Sequence, residues 1–189
     1  MYSIVAFALL SIMPSGAANI NMTRASIDSA VSAIDSIDRH LNQNFRVFCS
    51  LIDSSRVLPI PDTLIWPDWE SIDATYNVVT DSNGAIVKLG EAPISQSGDW
   101  VLDVSYYYDD EGRLMRIDTH YSTFTSGCTE IFREHMSVYY SKTGDEVLRL
   151  RKFTDENDKP IDTTGCEMDN DEASRLFKTT SDVRKLLGL

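Results

Sequence analysis

Histidine and cysteine are scarce in this chain, with three of each. Metal and nucleophilic chemistry depends on those residues at set spacings. No HExxH or HxH stands in the sequence, and neither does a GxSxG, a P-loop or a Rossmann glycine pattern. The acid-rich stretches DENDKPID (155–162) and EMDNDE (167–172) lack the spacing of a calcium loop. No catalytic group, metal or cofactor is therefore expected, and the chain reads as a non-enzyme. Positive charge is also short: 17 Lys and Arg face 29 Asp and Glu, for a net charge of −12. That balance argues against non-specific binding to nucleic acid or anionic membrane. No apolar run is long enough to span a bilayer.

Residues 1–18, MYSIVAFALLSIMPSGAA, carry an apolar stretch from Ile4 to Met13, then Pro14 and the small residues Gly16, Ala17 and Ala18. This is the layout of a signal peptide, although no Lys or Arg precedes the apolar stretch. The mature chain is expected to begin near Asn19 as one domain, 19–189, secreted or periplasmic. Asn21-Met22-Thr23 is a glycosylation sequon.

Thr23 suits a helix N-cap, and Ile27, Val31, Ile34, Leu41, Phe45 and Phe48 follow at helical spacing. The spacing predicts an amphipathic helix over 24–48, with Asp35 and Arg39 as an i,i+4 pair. Pro59, Pro61 and Pro67 predict a loop over 54–75. Within it, Trp66 and Trp69 of WPDW either pin the loop to the core or contact a partner.

From 76 to 161 the chain reads as an antiparallel meander. Three turn tetrads recur, DSNG (81–84), DDEG (109–112) and SKTG (141–144), each ending in the glycine that a left-handed turn position favours. Asp169 and Glu172 suggest a capping box for a last helix over 170–187. Helix, sheet, helix is an α+β fold: five to seven strands, one face covered by terminal helices and the other more open.

Alternation then assigns faces. Closing DDEG on Tyr108 and Arg113 pairs Tyr106 with Met115, Val104 with Ile117 and Trp100 with Tyr121 on the core side. For the next strand pair, matching the apolar parity sets Ile117 against Val138, Thr119 against Met136, and His120 across from His135 on the outer side. Turning Leu148 and Leu150 inward sends Arg149 and Arg151 outward. The outer face would then gather Arg116, His120, Arg133, His135, Arg149 and Arg151.

An exported protein with three cysteines can form one disulfide. Cys128 and Cys166 sit in glycine-preceded loops at element ends, and Cys49 follows Val47-Phe48 in an apolar context. Cys128–Cys166 is the expected bond, with Cys49 a buried thiol.

The expected function is an exported, non-catalytic binding protein of inhibitor or immunity type. Its partner is a protein or an anionic ligand, held by the Arg/His sheet face with Trp66 and Trp69. One alternative is a small-ligand module with a pocket lined by Trp100, Tyr106, Tyr108 and Tyr121. Another is a hydrolase using His120 and His135.

Overall fold

A computed structural model describes residues 15–40, 45–61, 66–166 and 176–189. Most of the expected signal peptide and the Asp169/Glu172 capping box lie outside the described residues. In chain order the elements are helix α1 (Ser15–His40), strands β1 (Phe45–Leu51) and β2 (Ser54–Ile60), and a 3-10 turn at Trp69–Ser71. Strands β3 (Ile72–Thr80), β4 (Ile86–Pro93), β5 (Trp100–Tyr108), β6 (Leu114–Thr123), β7 (Phe132–Tyr140) and β8 (Glu146–Thr154) follow, then helix α2 (Thr180–Leu187). The strands form one eight-stranded antiparallel sheet in the order β2-β1-β3-β4-β5-β6-β7-β8.

Two strands beyond the expected meander come from segments read as helix and loop. Phe45 and Phe48 fit a helical spacing, but Phe45–Leu51 pairs with β3 on one side and β2 on the other. Backbone pairing on both edges outweighs local periodicity, so the helix ends at His40 and not at 48. It also begins at Ser15, which places Thr23 inside it and not at its cap. Pro59 belongs to β2, opposite Phe48. A proline lacks an N–H for the ladder, and β2 tolerates it as an edge strand.

The glycines of all three turn tetrads take positive φ, at 79°, 74° and 84° for Gly84, Gly112 and Gly144. Each turn is closed one residue beyond the tetrad: Asp81, Asp109 and Ser141 donate their amides to the carbonyls of Ala85, Arg113 and Asp145. A separate register shift lies further into each hairpin, at Val79/Thr80, Tyr107/Tyr108 and Tyr139/Tyr140. Closure on Arg113 and this shift each add one residue and together move the β5–β6 register by two from the expectation: Tyr106 faces Ile117, Val104 faces Thr119, and Trp100 faces Thr123. A two-residue slip leaves the face assignments intact. A fourth turn of this type follows β8, with Asp158 at φ 61° where the others have glycine.

Both faces are covered, by different helices. On β5, Leu102, Val104, Tyr106 and Tyr108 join Tyr76, Leu89, Ile117 and α2's Val183 and Leu187 in the main core. Tyr107, on the opposite face, packs with Ile27, Val31 and Ile34 of α1 and with Tyr139, Leu148 and Leu150. α2 starts at Thr180, later than expected. Its capping box is made by Thr179 and Asp182, and Leu176 and Phe177 precede the helix. The α2 entry is fixed on the DDEG hairpin: the Leu114 amide donates to Lys178 O at 3.0 Å and the Thr180 amide to Gly112 O at 2.9 Å. A Cβ at Gly112 would collide with the Thr180 hydroxyl.

Cys128 and Cys166 form the expected disulfide, with Cα atoms 5.2 Å apart. Cys49 is a buried free thiol, and burial pushes its pKa up, away from the reactive thiolate.

Candidate functional site

The six sheet residues expected on one face divide between two. Arg116, His120, Arg133 and His135 share the α1 side, in register with Tyr107, Asp103 and Tyr139. His120 lies directly opposite His135, and Ile117 and Thr119 face Val138 and Met136 as expected. Arg149 and Arg151 pair with Val138 and Met136 and so project on the α2 side. The β7–β8 register also slips by two residues from a simple four-residue loop, which leaves parity unchanged. Leu148 and Leu150 do point inward, but toward α1. Alternation misassigned these arginines because it allowed for one apolar face, whereas α1 gives the second face a core of its own.

Each arginine has a carboxylate. Arg116 lies beneath α1 and bonds Asp28 through NH1 at 2.8 Å and Asp118 through Nε at 2.7 Å. Its guanidinium sits 5.2 Å from the centre of the Tyr139 ring. Arg116 is thus part of the attachment of α1, and little of it is left for a partner. Asp35 reaches Lys88 at 3.0 Å on the sheet and accepts from the Tyr107 hydroxyl; the side chain of Arg39, its expected partner along the helix, lies outside the described residues. Arg133 meets Asp158 at 2.9 Å. Arg149 grips Glu146 with two nitrogens, at 2.9 and 2.7 Å. Arg151 donates Nε to the buried Glu134 at 2.6 Å and lies over the Phe153 ring.

His120 and His135 are both exposed. Their rings meet edge to face, with centroids 4.5 Å apart. Lys152 is directly across from His135 on the other side, and Asp103 across from His120. Partial burial, then the neighbouring His120 and Lys152, holds the His135 imidazole below its ordinary pKa, with Asp158 acting against them. Among the described residues no group of three His, Cys, Asp or Glu side chains is arranged to hold a metal. The pair therefore offers a titratable surface row and no third ligand.

Trp66 and Trp69 are exposed, Trp69 by 61%. They do not pin the loop to the core. The 3-10 turn containing Trp69 lies against the β1–β2 turn, where the Ile52 amide donates to Ser71 O at 3.0 Å. Its chain continues directly into β3, which is five strand positions from β8, roughly 24 Å at the usual strand spacing. The tryptophans and the β8 cations therefore do not form one patch.

Tyr106 and Tyr108 are fully buried and help fill the main core, with Trp100 and Tyr121 packed at its border. Tyr106 meets Phe177 edge to face and donates to Glu91 at 2.9 Å. These side chains make up the core and do not line the expected ligand pocket. A small cavity of about 160 Å³ lies elsewhere, on the α1 side, lined by Phe45, Asn77, Lys88, Gly90, Asp103 and Ser105 among others. Nothing in the spacing of those residues signalled it, because they come from β1, β3, β4 and β5.

The two sets of cations converge at one margin. β7 and β8 are the last strands of the sheet, and between them they carry Arg133, His135, Arg149, Arg151 and Lys152. Lys152 is the member that sequence reasoning missed; it lies opposite His135, on the face away from Arg149 and Arg151. No described helix is long and apolar enough to cross a membrane. No known family model matches the chain, and neither does any curated protein or solved structure.

Proposed function

We propose that this is an exported, non-catalytic binding protein of inhibitor or immunity type, whose partner presents carboxylates to the β7–β8 margin. One observation carries the reading. A chain of net charge −12 gathers exposed Arg149, Arg151 and Lys152 on its last strand, beside exposed His135. The internal partners of these arginines do not close the site. The exposed Arg149–Glu146 pair contributes only about 0–1 kcal/mol, and Arg151, though it donates Nε to buried Glu134, has a guanidinium with donors for more than one carboxylate. At physiological salt, screening over about 8 Å lets the margin act apart from the distant acidic surface. The Cys128–Cys166 disulfide supports export, because such bonds persist in oxidising compartments.

The test is calorimetric titration with a polyglutamate peptide at low and physiological salt. Reversing Arg149, Arg151 and Lys152 to Glu should weaken binding by about tenfold or more, the scale of losing a single charge-assisted contact. Reversing Arg46, Arg56 and Arg184, which are exposed elsewhere, should change it little. Equal losses in the two variants would sink the margin as the binding region.

A further inference from the structure

The outer edge of β8 carries a second layer of recognition, made of backbone. Past Thr154 the chain turns back, and the Ile161 amide donates to Phe153 O at 3.3 Å. Thr154 bridges to Pro160 beside it. Phe153 therefore directs its backbone groups away from β7. Direction alternates along a strand, and the β7–β8 register is unbroken from Arg133–Thr154 to Tyr139–Leu148. Hence Arg151 and Arg149 also aim their N–H and C=O outward. Among the described residues, no backbone hydrogen bond reaches them from that side. The next outward position toward the SKTG turn falls in the bulge, and Phe153 is already taken. The open edge is short and centred on Leu150.

An open edge is a template for a further strand. A second copy of this chain is a poor occupant. Antiparallel pairing about Leu150 would set Arg149 against Arg151 of the other copy, and pairing about either arginine would set it against itself. Like charges directly opposite one another are destabilising. The same side chains favour an acidic strand. Arg149 and Arg151 project on the α2 side, so residues opposite them, two apart, meet a cation each. The residue between lies opposite Leu150, which is partly buried against α1's apolar cluster. Lys152 flanks it on that same side.

We infer that β8 receives an extended segment of a partner protein, with acidic, apolar and acidic residues in succession, as an added strand. This rests on the β7–β8 margin being the binding region and specifies how it binds. Backbone bonds from Arg149 and Arg151 supply affinity that does not depend on sequence, and the alternating side chains select the segment.

The probe is a short blocked peptide of alternating glutamate and valine, followed by calorimetry and by amide hydrogen exchange of the intact, oxidised protein. Bound peptide should slow exchange at Arg149 and Arg151 by about tenfold or more, as for newly hydrogen-bonded edge amides. Methylating the peptide nitrogens that face β8 should abolish binding while leaving its charge unchanged. A version with the same composition and its glutamates clustered should bind more weakly. If the methylated peptide binds equally and the two amides exchange as before, strand addition is overturned while the cationic margin stands. If no acidic peptide binds, the margin reading falls as well. Protection of the edge amides without peptide, growing with protein concentration alongside a dimer in sedimentation, would assign the edge to a second copy and overturn the inference.

Discussion

On the α2 side of the sheet a short helix and the chain leading into it set Phe177, Val183 and Leu187 against fully buried Tyr76, Tyr106 and Tyr108. On the α1 side a helix of 26 residues buries Ile27, Val31 and Ile34, and its attachment is completed by charge: Asp28 to Arg116 and Tyr139, Asp35 to Lys88 and Tyr107. The shorter helix closes the larger core. Burial of large side chains sets the stability of a face, whereas partly exposed ion pairs mostly fix where an element sits. The difference predicts one face that opens only with the whole molecule and another whose cover can lift by itself.

The largest test of that contrast removes Tyr106. Tyr106→Ala deletes a fully buried ring and its 2.9 Å hydrogen bond to Glu91, and should cost about 3–5 kcal/mol in denaturant unfolding. Ile34→Ala on the other side should cost less, about 2–3 kcal/mol, since its cluster is smaller and nearer to solvent. Equal costs would break the comparison. Asp28→Ala comes next. It removes the contacts to Arg116 and Tyr139, both 2.8 Å, and Arg116 keeps Asp118. About 1–2 kcal/mol is expected, with amide exchange in α1 accelerated and that of β5 and β6 unchanged. Acceleration across the sheet would show that α1 does not lift by itself.

The smallest effect is in pH. His135 has a folded pKa below its ordinary value of about 6.5. The unfolded chain therefore takes up its proton first as pH falls. The stability contributed by His135 is complete above that value and is lost as pH drops through it toward the folded pKa. Removing the imidazole in His135→Gln should flatten the acid side of the stability profile. Because the ring is exposed, only the shape of the profile is expected to change appreciably. A profile that keeps its slope would locate the titration elsewhere.

The sequence disclosed some of these features and hid others for identifiable reasons. The His120–His135 register followed from parity, because Ile117 and Val138 had to face the same core. The disulfide followed from two cysteines placed at loop positions in a chain expected to be exported. What misled was the turn chemistry. The glycines of DDEG and SKTG are legible as left-handed, but the closure one residue later and the bulge beyond it are not. Turn closure and bulge together slide β5–β6 by two residues, whereas Arg149 and Arg151 were misplaced because Leu148 and Leu150 face the α1 cluster and not the α2 core. Phe45 and Phe48 satisfied a helical period and a strand equally well, and only their long-range partners in β2 and β3 decide between the two. The candidate site suffered most, since apolar parity cannot say which face a strand's leucines seek when each face has an apolar core of its own. The β8 edge was beyond reach, because it depends on which strand is last in the sheet.

The Cys128–Cys166 bond has one further consequence, for tension. It joins residues 38 apart in sequence, and both β7 (Phe132–Tyr140) and β8 (Glu146–Thr154) lie within that span. A pull on the two chain ends passes from the β6–β7 loop straight across the sulfur bridge to the segment before α2. While the bridge is intact, none of that load runs along the covalent chain of the two strands that carry the cationic margin. Traction can peel away α2 and still leave the β7–β8 hairpin folded to hold what it has bound.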